Sequence, residues 1–182
     1  MSRKVYFESS VFLDIFEGRD ENGLILQLLQ ECKRNKDRIY TSIITVEEVS
    51  VEHFRKGKLA TENYSKVHKF AHVESITQQI ALTAAKLEAT LLDSMHTLED
   101  QERAKENKRR RWDLFHVATA LAFGCTAFYC SDKGYQDRQK RLGITSMKFL
   151  EPKPDSPPLD LQEQKNDQRP YKADQSVNDS YQ

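Results

Sequence analysis

The stretch that decides the fold runs from Arg111 to Tyr135 and reads RWDLFHVATALAFGCTAFYCSDKGY. Asp113 precedes an apolar segment, and Gly124 follows that segment at the position typical of a helix C-cap. A second apolar run, Thr126–Cys130, is short, aromatic and stopped by Ser-Asp-Lys-Gly, which predicts a buried strand. Because a helix that is apolar almost all round must be covered on several sides, we expect it to pack on a sheet.

Short β-prone runs and helical patterns alternate on the N-terminal side of this stretch, and one more β-prone run follows it. Such alternation predicts an α/β fold with a mostly parallel sheet and helices on both faces. Besides 126–130, strands are expected at residues 4–7, 38–44, 73–76 and 145–150. Helices are expected at residues 11–16, 24–32, 45–57, 59–70 and 77–105, with a separate buried helix opened by Asp113. Thr45 with Glu48 three residues later has the spacing of a capping box.

The composition divides the 182 residues into one domain and a tail. Residues 1–150 are enough for a single domain with its own core. From Glu151 onward the chain is rich in Pro, Asp, Gln, Ser and Asn and has hardly any apolar residue. Such a segment cannot bury enough surface to offset its ordering entropy, so residues 151–182 are predicted to be a disordered polar tail.

Charge and cysteine content limit the class of protein. The 28 basic residues balance the 28 acidic ones, so a nucleic-acid role must come from local charge. The three cysteines, Cys32, Cys125 and Cys130, have no metal-type spacing and are expected to be core residues of a reduced compartment. The N-terminus lacks the apolar length of a signal peptide, and no run approaches a membrane span. We therefore expect a cytoplasmic protein without a membrane partner.

Four acids lie near the ends of separate elements. Glu8 follows the first strand, Glu48 lies one turn into the helix after the second, Asp113 opens the buried helix, and Asp132 follows the strand at 126–130. Groups beyond the carboxyl ends of parallel strands gather in one crevice, so we expect these carboxylates to meet. They would repel one another without cations, and all-oxygen ligands favour Mg²⁺ or Mn²⁺. The chemistry that follows is metal-assisted attack of water on a phosphodiester. Taken singly, each acid also fits a helix cap or a solvated loop residue.

Three segments resemble the PIN-domain nucleases: VYFESSVFLDIF, TSIITVEEV and DLFHVATALAFGCTAFYCSDKGY. They cover about residues 4–150 in the family's order, and the third, with D-x-x-H-x-A-T-A-L before a strand ending in S-D-K, is the most specific. The resemblance implies a three-layer Rossmann-like fold, Mg²⁺- or Mn²⁺-dependent cleavage of RNA, and a homodimer. The size of the domain is similar to that of the VapC-like toxin ribonucleases of toxin–antitoxin pairs, which implies a small antitoxin protein as a partner.

The resemblance places the catalytic, metal-binding acids at Glu8, Glu48, Asp113 and Asp132. Ser10 and Ser131 match hydroxyl residues that help to order the site in the family. The family's first acid is usually Asp, and the extra methylene of Glu8 moves the carboxylate by about one bond length, where errors near 1 Å can cost about a hundredfold in rate. Two alternatives therefore stay open: a degenerate PIN domain that binds RNA or protein, and a structure-specific DNA nuclease. Asp14 is a further donor in principle, although a surface or helix-packing role is favoured.

Neighbours of the four acids suggest supporting roles. Glu47 and Glu48 point about 100° apart on a helix, so only one of them can face the crevice, and the family match selects Glu48. His116 lies one turn from Asp113 on the same helix face, where packing beneath the site is favoured over metal or proton-transfer chemistry.

The basic run at residues 108–111 borders the predicted crevice. Charge runs are usually solvated faces, and phosphate contact is the second interpretation. Trp112 beside it either stacks on a base or packs against the sheet. The candidate RNA-binding residues are Arg109, Arg110, Arg111 and Lys133.

Overall fold

A single parallel sheet organises the molecule. The computed structural model describes residues 2–20, 22–57, 61–94, 100–132 and 134–155, without the side chains of Glu52, Thr61 and residues 100–110. The strands are β1 (Lys4–Phe7), β2 (Arg38–Ser42), β3 (His72–Glu74), β4 (Ala127–Tyr129) and β5 (Lys148–Leu150). All neighbouring pairs are parallel, in the spatial order β3, β2, β1, β4, β5. The predicted α/β fold is confirmed.

Helices connect the strands and cover both faces of the sheet. Those of the described residues are α1 (Ser9–Phe16), α2 (Leu24–Arg34), α3 (Ile43–Arg55), α4 (Thr61–Phe70), α5 (Gln78–Ser94), α6 (Asp100–Ala122) and α7 (Gly134–Arg141). None of them is both long enough and apolar enough to cross a membrane.

Side chains of β1 alternate between two cores, as the period of a strand requires. Val5 and Phe7 pack in one cluster with Val11, Phe12 and Leu28 from α1 and α2. Tyr6 packs in the other cluster with the buried face of α6 and with β4. All three cysteines are buried and unpaired, as expected for core residues. The sheet therefore lies between two helical layers, and α6 is the buried helix that the sequence predicted.

The boundaries of α6 differ from the prediction. The expected helix 77–105 is two elements, because α5 ends at Ser94 and α6 begins at Asp100. Asp113 consequently lies inside α6 instead of opening it. Residues 100–112 are nearly all polar and show no apolar period, so the hydrophobic pattern does not predict a helix there. They are rich in strong helix formers, and this intrinsic propensity extends the helix.

The predicted capping box of Thr45 and Glu48 is wrong. α3 begins at Ile43, and Ser42 Oγ accepts from the N–H of Ile44 at 3.2 Å. Thr45 is buried inside the helix, and its Oγ lies 2.7 Å from Thr41 Oγ. Thr45 fits the sequence pattern of a capping box, but its hydroxyl forms a hydrogen bond in the core instead of capping the helix.

The last strand leads into a short docked segment. Arg3 Nη1 lies 2.9 Å from Asp155 Oδ2, and the N–H of Asp155 donates to Glu31 Oε2 at 3.1 Å. Residues 151–155 of the predicted tail are thus part of the described structure, whereas residues 156–182 lie outside it. The domain boundary at residue 150 stays a prediction.

Candidate active site

Glu8 lies at the carboxyl end of β1, where it is the N-cap of α1. Its carboxylate accepts from the N–H of Ser10 at 2.9 Å, from Ser9 Oγ at 2.5 Å and from Ser10 Oγ. The residue is only 6% exposed. The longer side chain therefore curls back onto the first turn of α1, and two serine hydroxyls hold it there.

His116 joins the site to the core. The ring is fully buried on α6, with Nδ1 2.7 Å from the hydroxyl of Tyr6 and Nε2 3.1 Å from Glu48 Oε2. Burial lowers the pKa of His116, but the hydrogen bond to Glu48 and the nearby acids outweigh burial, so that the pKa is raised. Burial likewise raises the pKa of Glu48, and the bond with His116 overrides it, so that this pKa is lowered. The two side chains therefore favour each other's charged form.

Glu8, Glu48 and His116 form a group with the dimensions of a metal site. One ligand atom from each residue lies within 4.8 Å of the ligand atoms of the other two. A divalent ion with bonds of about 2.0–2.3 Å holds neighbouring ligand atoms roughly 3 Å apart and opposite ones roughly 4–4.6 Å apart, so small adjustments suffice. Two carboxylates fit Mg²⁺ or Mn²⁺, and an imidazole in the set would favour a transition metal such as Mn²⁺. The donor set therefore fits a divalent metal.

Asp113 lies beside this group but faces different partners. Its Oδ1 accepts from the hydroxyl of Tyr135 at 3.0 Å, and its Oδ2 lies 2.5 Å from Arg138 Nη1. Burial raises the pKa of Asp113 more than Arg138 and Tyr135 lower it. Asp113 lies one turn before His116 on α6, which places it next to the group of Glu8, Glu48 and His116. Both partners come from α7, a helix that the sequence analysis did not predict.

Asp132 is exposed and caps α7, accepting from the N–H of Gly134 at 2.8 Å. A Cβ on Gly134 would lie 3.2 Å from Asp132 Oδ1, so glycine eases this close turn. Among the described residues, neither Asp113 nor Asp132 falls within the 4.8 Å ligand group. The structure thus brings Glu8 and Glu48 together, places Asp113 next to them, and leaves Asp132 at the rim.

The two predicted supporting serines have different partners. Ser10 Oγ donates to Glu8 and accepts from the N–H of Ser131 at 3.0 Å, which ties the loop after β4 to the start of α1. Ser131 Oγ lies 2.5 Å from Asp14 Oδ2, and Asp14 also pairs with Arg19 at 3.0 Å. Ser10 therefore supports Glu8 directly, whereas Ser131 contributes mainly through its backbone. Asp14 lies outside the ligand group found among the described residues and pairs with Ser131 and Arg19 instead.

The candidate RNA-binding residues are only partly described. Arg111 is exposed, with its Nε 3.9 Å from Glu88 Oε2. Trp112 is 53% exposed and meets Phe115 at 6.1 Å between ring centroids, so it does not pack against the sheet. Glu47 is exposed whereas Glu48 is half-buried, as the helix geometry predicted. The side chains of Arg109 and Arg110, and all of Lys133, lie outside the described residues.

Four residues of the site escaped the sequence analysis: Tyr6, Ser9, Tyr135 and Arg138. Tyr6 and Ser9 flank Glu8 so closely that their contact could have been considered. Tyr135 and Arg138 are three residues apart, which puts them on one helix face, but only after α7 is recognised. The signal for that helix was Asp132 as a cap before a run of polar helix formers.

Comparison with known proteins bears on the fold and the family of this chain. The PIN domain model matches residues 5–141. VapBC-1 from nontypeable Haemophilus influenzae aligns with 15% identity, a TM-score of 0.55, and coverage of 82% of this chain and 98% of that chain. VapBC2 from Rickettsia felis, bound to a DNA fragment from their promoter, aligns with 14% identity, a TM-score of 0.54, and coverage of 81% and 98%. No curated protein sequence matches significantly. The structural likenesses show a shared fold, and the family model covers most of the sequence: the chain belongs to the PIN-domain family.

Proposed function

We propose that this chain is a divalent-metal-dependent endoribonuclease. The observation that carries the proposal is the grouping of Glu8, Glu48 and His116 beyond the carboxyl ends of β1 and β2, with Asp113 beside it. Members of the PIN-domain family are in general nucleases. Carboxylates gathered at this edge of a parallel sheet lie where such folds bind their ligands.

Each residue of the site has a distinct task under this proposal. Glu8 and Glu48 hold Mg²⁺ or Mn²⁺, which when bound lowers the pKa of water and neutralises charge on the phosphate. Ser9 and Ser10 orient the carboxylate of Glu8. His116 orients Glu48 from beneath. Asp113 and Asp132 complete the acidic surface around the scissile phosphate.

We further propose that the protein is the toxin of a toxin–antitoxin pair, acting in the cytoplasm on RNA. The support is the fold shared with chains of VapBC-1 and VapBC2. A small antitoxin protein would then bind and restrain the domain, and a homodimer would be the active assembly. Copurification of the chain with the product of a neighbouring small gene would test the pairing.

The nuclease proposal is tested by Mn²⁺-dependent cleavage of a mixed RNA pool. Glu48→Gln removes a proposed ligand and should reduce cleavage about a hundredfold or more. Glu47→Gln on the neighbouring exposed position makes the same chemical change outside the site and should stay within about twofold. Equal loss in both variants would contradict the assignment. A single-stranded DNA pool of the same sequences, cleaved faster than the RNA, would identify a DNA nuclease instead.

A second candidate function rests on the contacts of Glu8 and Asp113. The oxygens of Glu8 are bonded by Ser9 and Ser10, and both oxygens of Asp113 are bonded by α7. With Glu in place of the family's usual Asp, such a site would suit a degenerate PIN domain that binds RNA or protein without cleaving. RNA binding that is unaffected by Mn²⁺, with no cleavage at any Mn²⁺ concentration, would favour this candidate.

A further inference from the structure

Arg138 brings a positive charge into the acidic group from inside the protein. Its Nη1 lies 2.5 Å from Asp113 Oδ2, and its side chain is only 10% exposed. Tyr135, one turn earlier on α7, donates to the other oxygen of Asp113 at 3.0 Å. The Arg138 guanidinium also lies over the Tyr135 ring, 5.2 Å from its centroid. Asp113 is therefore held at both oxygens by neighbouring side chains of one helix.

The charge of Arg138 acts on a set of acids that would otherwise repel. Asp113 lies one turn before His116 on α6, and His116 lies within 4.8 Å, atom to atom, of Glu8 and Glu48. A guanidinium in direct contact with one of these acids offsets part of the negative charge of the whole group. That compensation is built into the fold and needs no ligand.

We propose that Arg138 is an internal counter-cation that competes with the divalent metal for the acidic group. This inference rests on the proposed function, because it assumes that the group binds metal. A fixed guanidinium repels a second cation in a partly dry site, where charges interact more strongly than in water. The metal therefore binds more weakly than the acids alone would allow, and full affinity requires Arg138 to leave Asp113.

The opposite role for Arg138 would be that of a positioning residue which holds Asp113 ready for the metal. The two roles predict opposite signs for the removal of the positive charge. A counter-cation weakens metal binding, so its removal tightens binding. A positioning residue supports metal binding, so its removal weakens it.

Mn²⁺ binding without RNA separates the two roles, measured from the electron paramagnetic resonance signal of free Mn²⁺ during a titration. Arg138→Gln should bind Mn²⁺ about tenfold or more tightly than the unchanged protein, since one nearby positive charge is removed. Arg138→Lys keeps the charge and should stay within about threefold of the unchanged protein. Arg141→Gln removes the same charge from an exposed position on the same helix, and screening should hold its effect to about twofold.

A second pair of variants is needed if Arg138→Gln does not fold, because that change leaves the negative charge of Asp113 without its partner. Asp113→Asn removes the buried acid, and the Asp113→Asn, Arg138→Gln double variant then removes its partner as well. Glu8 and Glu48 remain in both proteins, so the double variant should bind Mn²⁺ about tenfold more tightly than Asp113→Asn alone.

Each outcome of these titrations bears on a different claim. Weaker or unchanged binding after removal of Arg138, in a chain that binds Mn²⁺, would overturn the counter-cation and leave the proposed metal site standing. Mn²⁺ binding that appears only when Arg138 is replaced would give the strongest support for the counter-cation role. No Mn²⁺ binding by any of the proteins would overturn the metal site itself, and the counter-cation with it.

Discussion

At the scale of single residues, the site depends on how short side chains restrain long ones. Glu8 has one methylene more than the family's usual acid, and Ser9 and Ser10 fold that extra length back against α1. The extra length is therefore accommodated by local hydrogen bonds instead of a shift of β1, whose register with β2 and β4 is regular. This arrangement makes Glu8→Asp the most informative single change.

If the site is active as it stands, Glu8→Asp should reduce cleavage about tenfold or more, because it withdraws the carboxylate by about one bond length. If the site is degenerate, the same change restores the family pattern and should raise cleavage. Asp is also a good N-cap, so stability should not fall and confuse the comparison. Cleavage of a mixed RNA pool at several Mn²⁺ concentrations shows whether Glu8→Asp lowers or raises the activity. Equal activity of the Asp, Gln and Ala variants would place Glu8 outside the site.

The His116–Glu48 pair predicts a pH dependence of stability in the metal-free protein. The raised pKa of His116 means that its contribution is present below about pH 6.5 and is lost as pH rises through the folded-state pKa. The lowered pKa of Glu48 means that its contribution is present above about pH 4.5 and is lost as pH falls. The pair therefore stabilises the fold most between these two values.

Thermal unfolding of the unchanged protein and of Glu48→Gln tests that window. The difference in melting temperature should be largest below about pH 6.5 and should shrink as pH rises through the folded-state pKa of His116, because the ring loses its charge there. A difference that does not change with pH would show that His116 does not change its charge over the range, which contradicts the predicted loss of the charged pair.

The sequence singled out Glu8, Glu48, Asp113 and Asp132 as candidates, because order along the chain and family spacing both mark them. It did not place Arg138 against Asp113, since that contact depends on the angle at which α7 returns to the sheet. Nor did it show that Asp132 would cap α7 at the edge of the site. Aspartate is favoured both as a helix cap and as a metal ligand, so the residue type does not distinguish the two roles.

At the scale of elements, the period of the apolar residues predicted the buried strands and helices correctly. It did not predict the helical segments that are polar. All five strands and the buried half of α6 were found because their apolar patterns are strong. The polar first half of α6 and the whole of α7 have no such pattern, and only propensity and capping mark them. The polar half of α6 contains the basic run at residues 108–111, whose contact with phosphate stays a prediction.

The packing of α5 on α6 gives a stability prediction with its control on the next residue. Leu91 is 1% exposed and packs in a cluster with Leu114 and Ala118 of α6, whereas Leu92 is 41% exposed. Leu91→Ala should cost about 2–5 kcal/mol of unfolding free energy, and Leu92→Ala about 0.5 kcal/mol or less. Denaturant unfolding measures both. Similar costs would mean that α5 is rotated relative to this packing.

At the scale of the whole molecule, parallel pairing brings distant segments to one edge. Glu8 follows β1, Glu48 follows β2, and Asp132 follows β4, and these three strands are neighbours in the sheet. The order of the strands reverses at β1, with β2 on one side and β4 on the other, which is where such sheets bind ligands. With a net formal charge of zero, the protein would attract RNA, under the proposed function, through local charge near this edge.

The contacts of Asp155 with Arg3 and Glu31 indicate that the folded domain ends near residue 155. A chain truncated after Asp155 keeps the contacts with Arg3 and Glu31, so its unfolding free energy should fall by less than about 1 kcal/mol. A chain truncated after Pro152 also leaves the buried Glu31 without its backbone N–H donor, which should cost about 1–3 kcal/mol more. Asp155→Ala keeps that N–H and loses only the half-exposed ion pair with Arg3, so it should cost about 1 kcal/mol or less. Denaturant unfolding measures the unfolding free energy of each of the three chains and so ranks them by stability. A large loss on truncation after Asp155 would show that residues 156–182 pack on the domain, and equal stability of both truncated chains would return the boundary to residue 150.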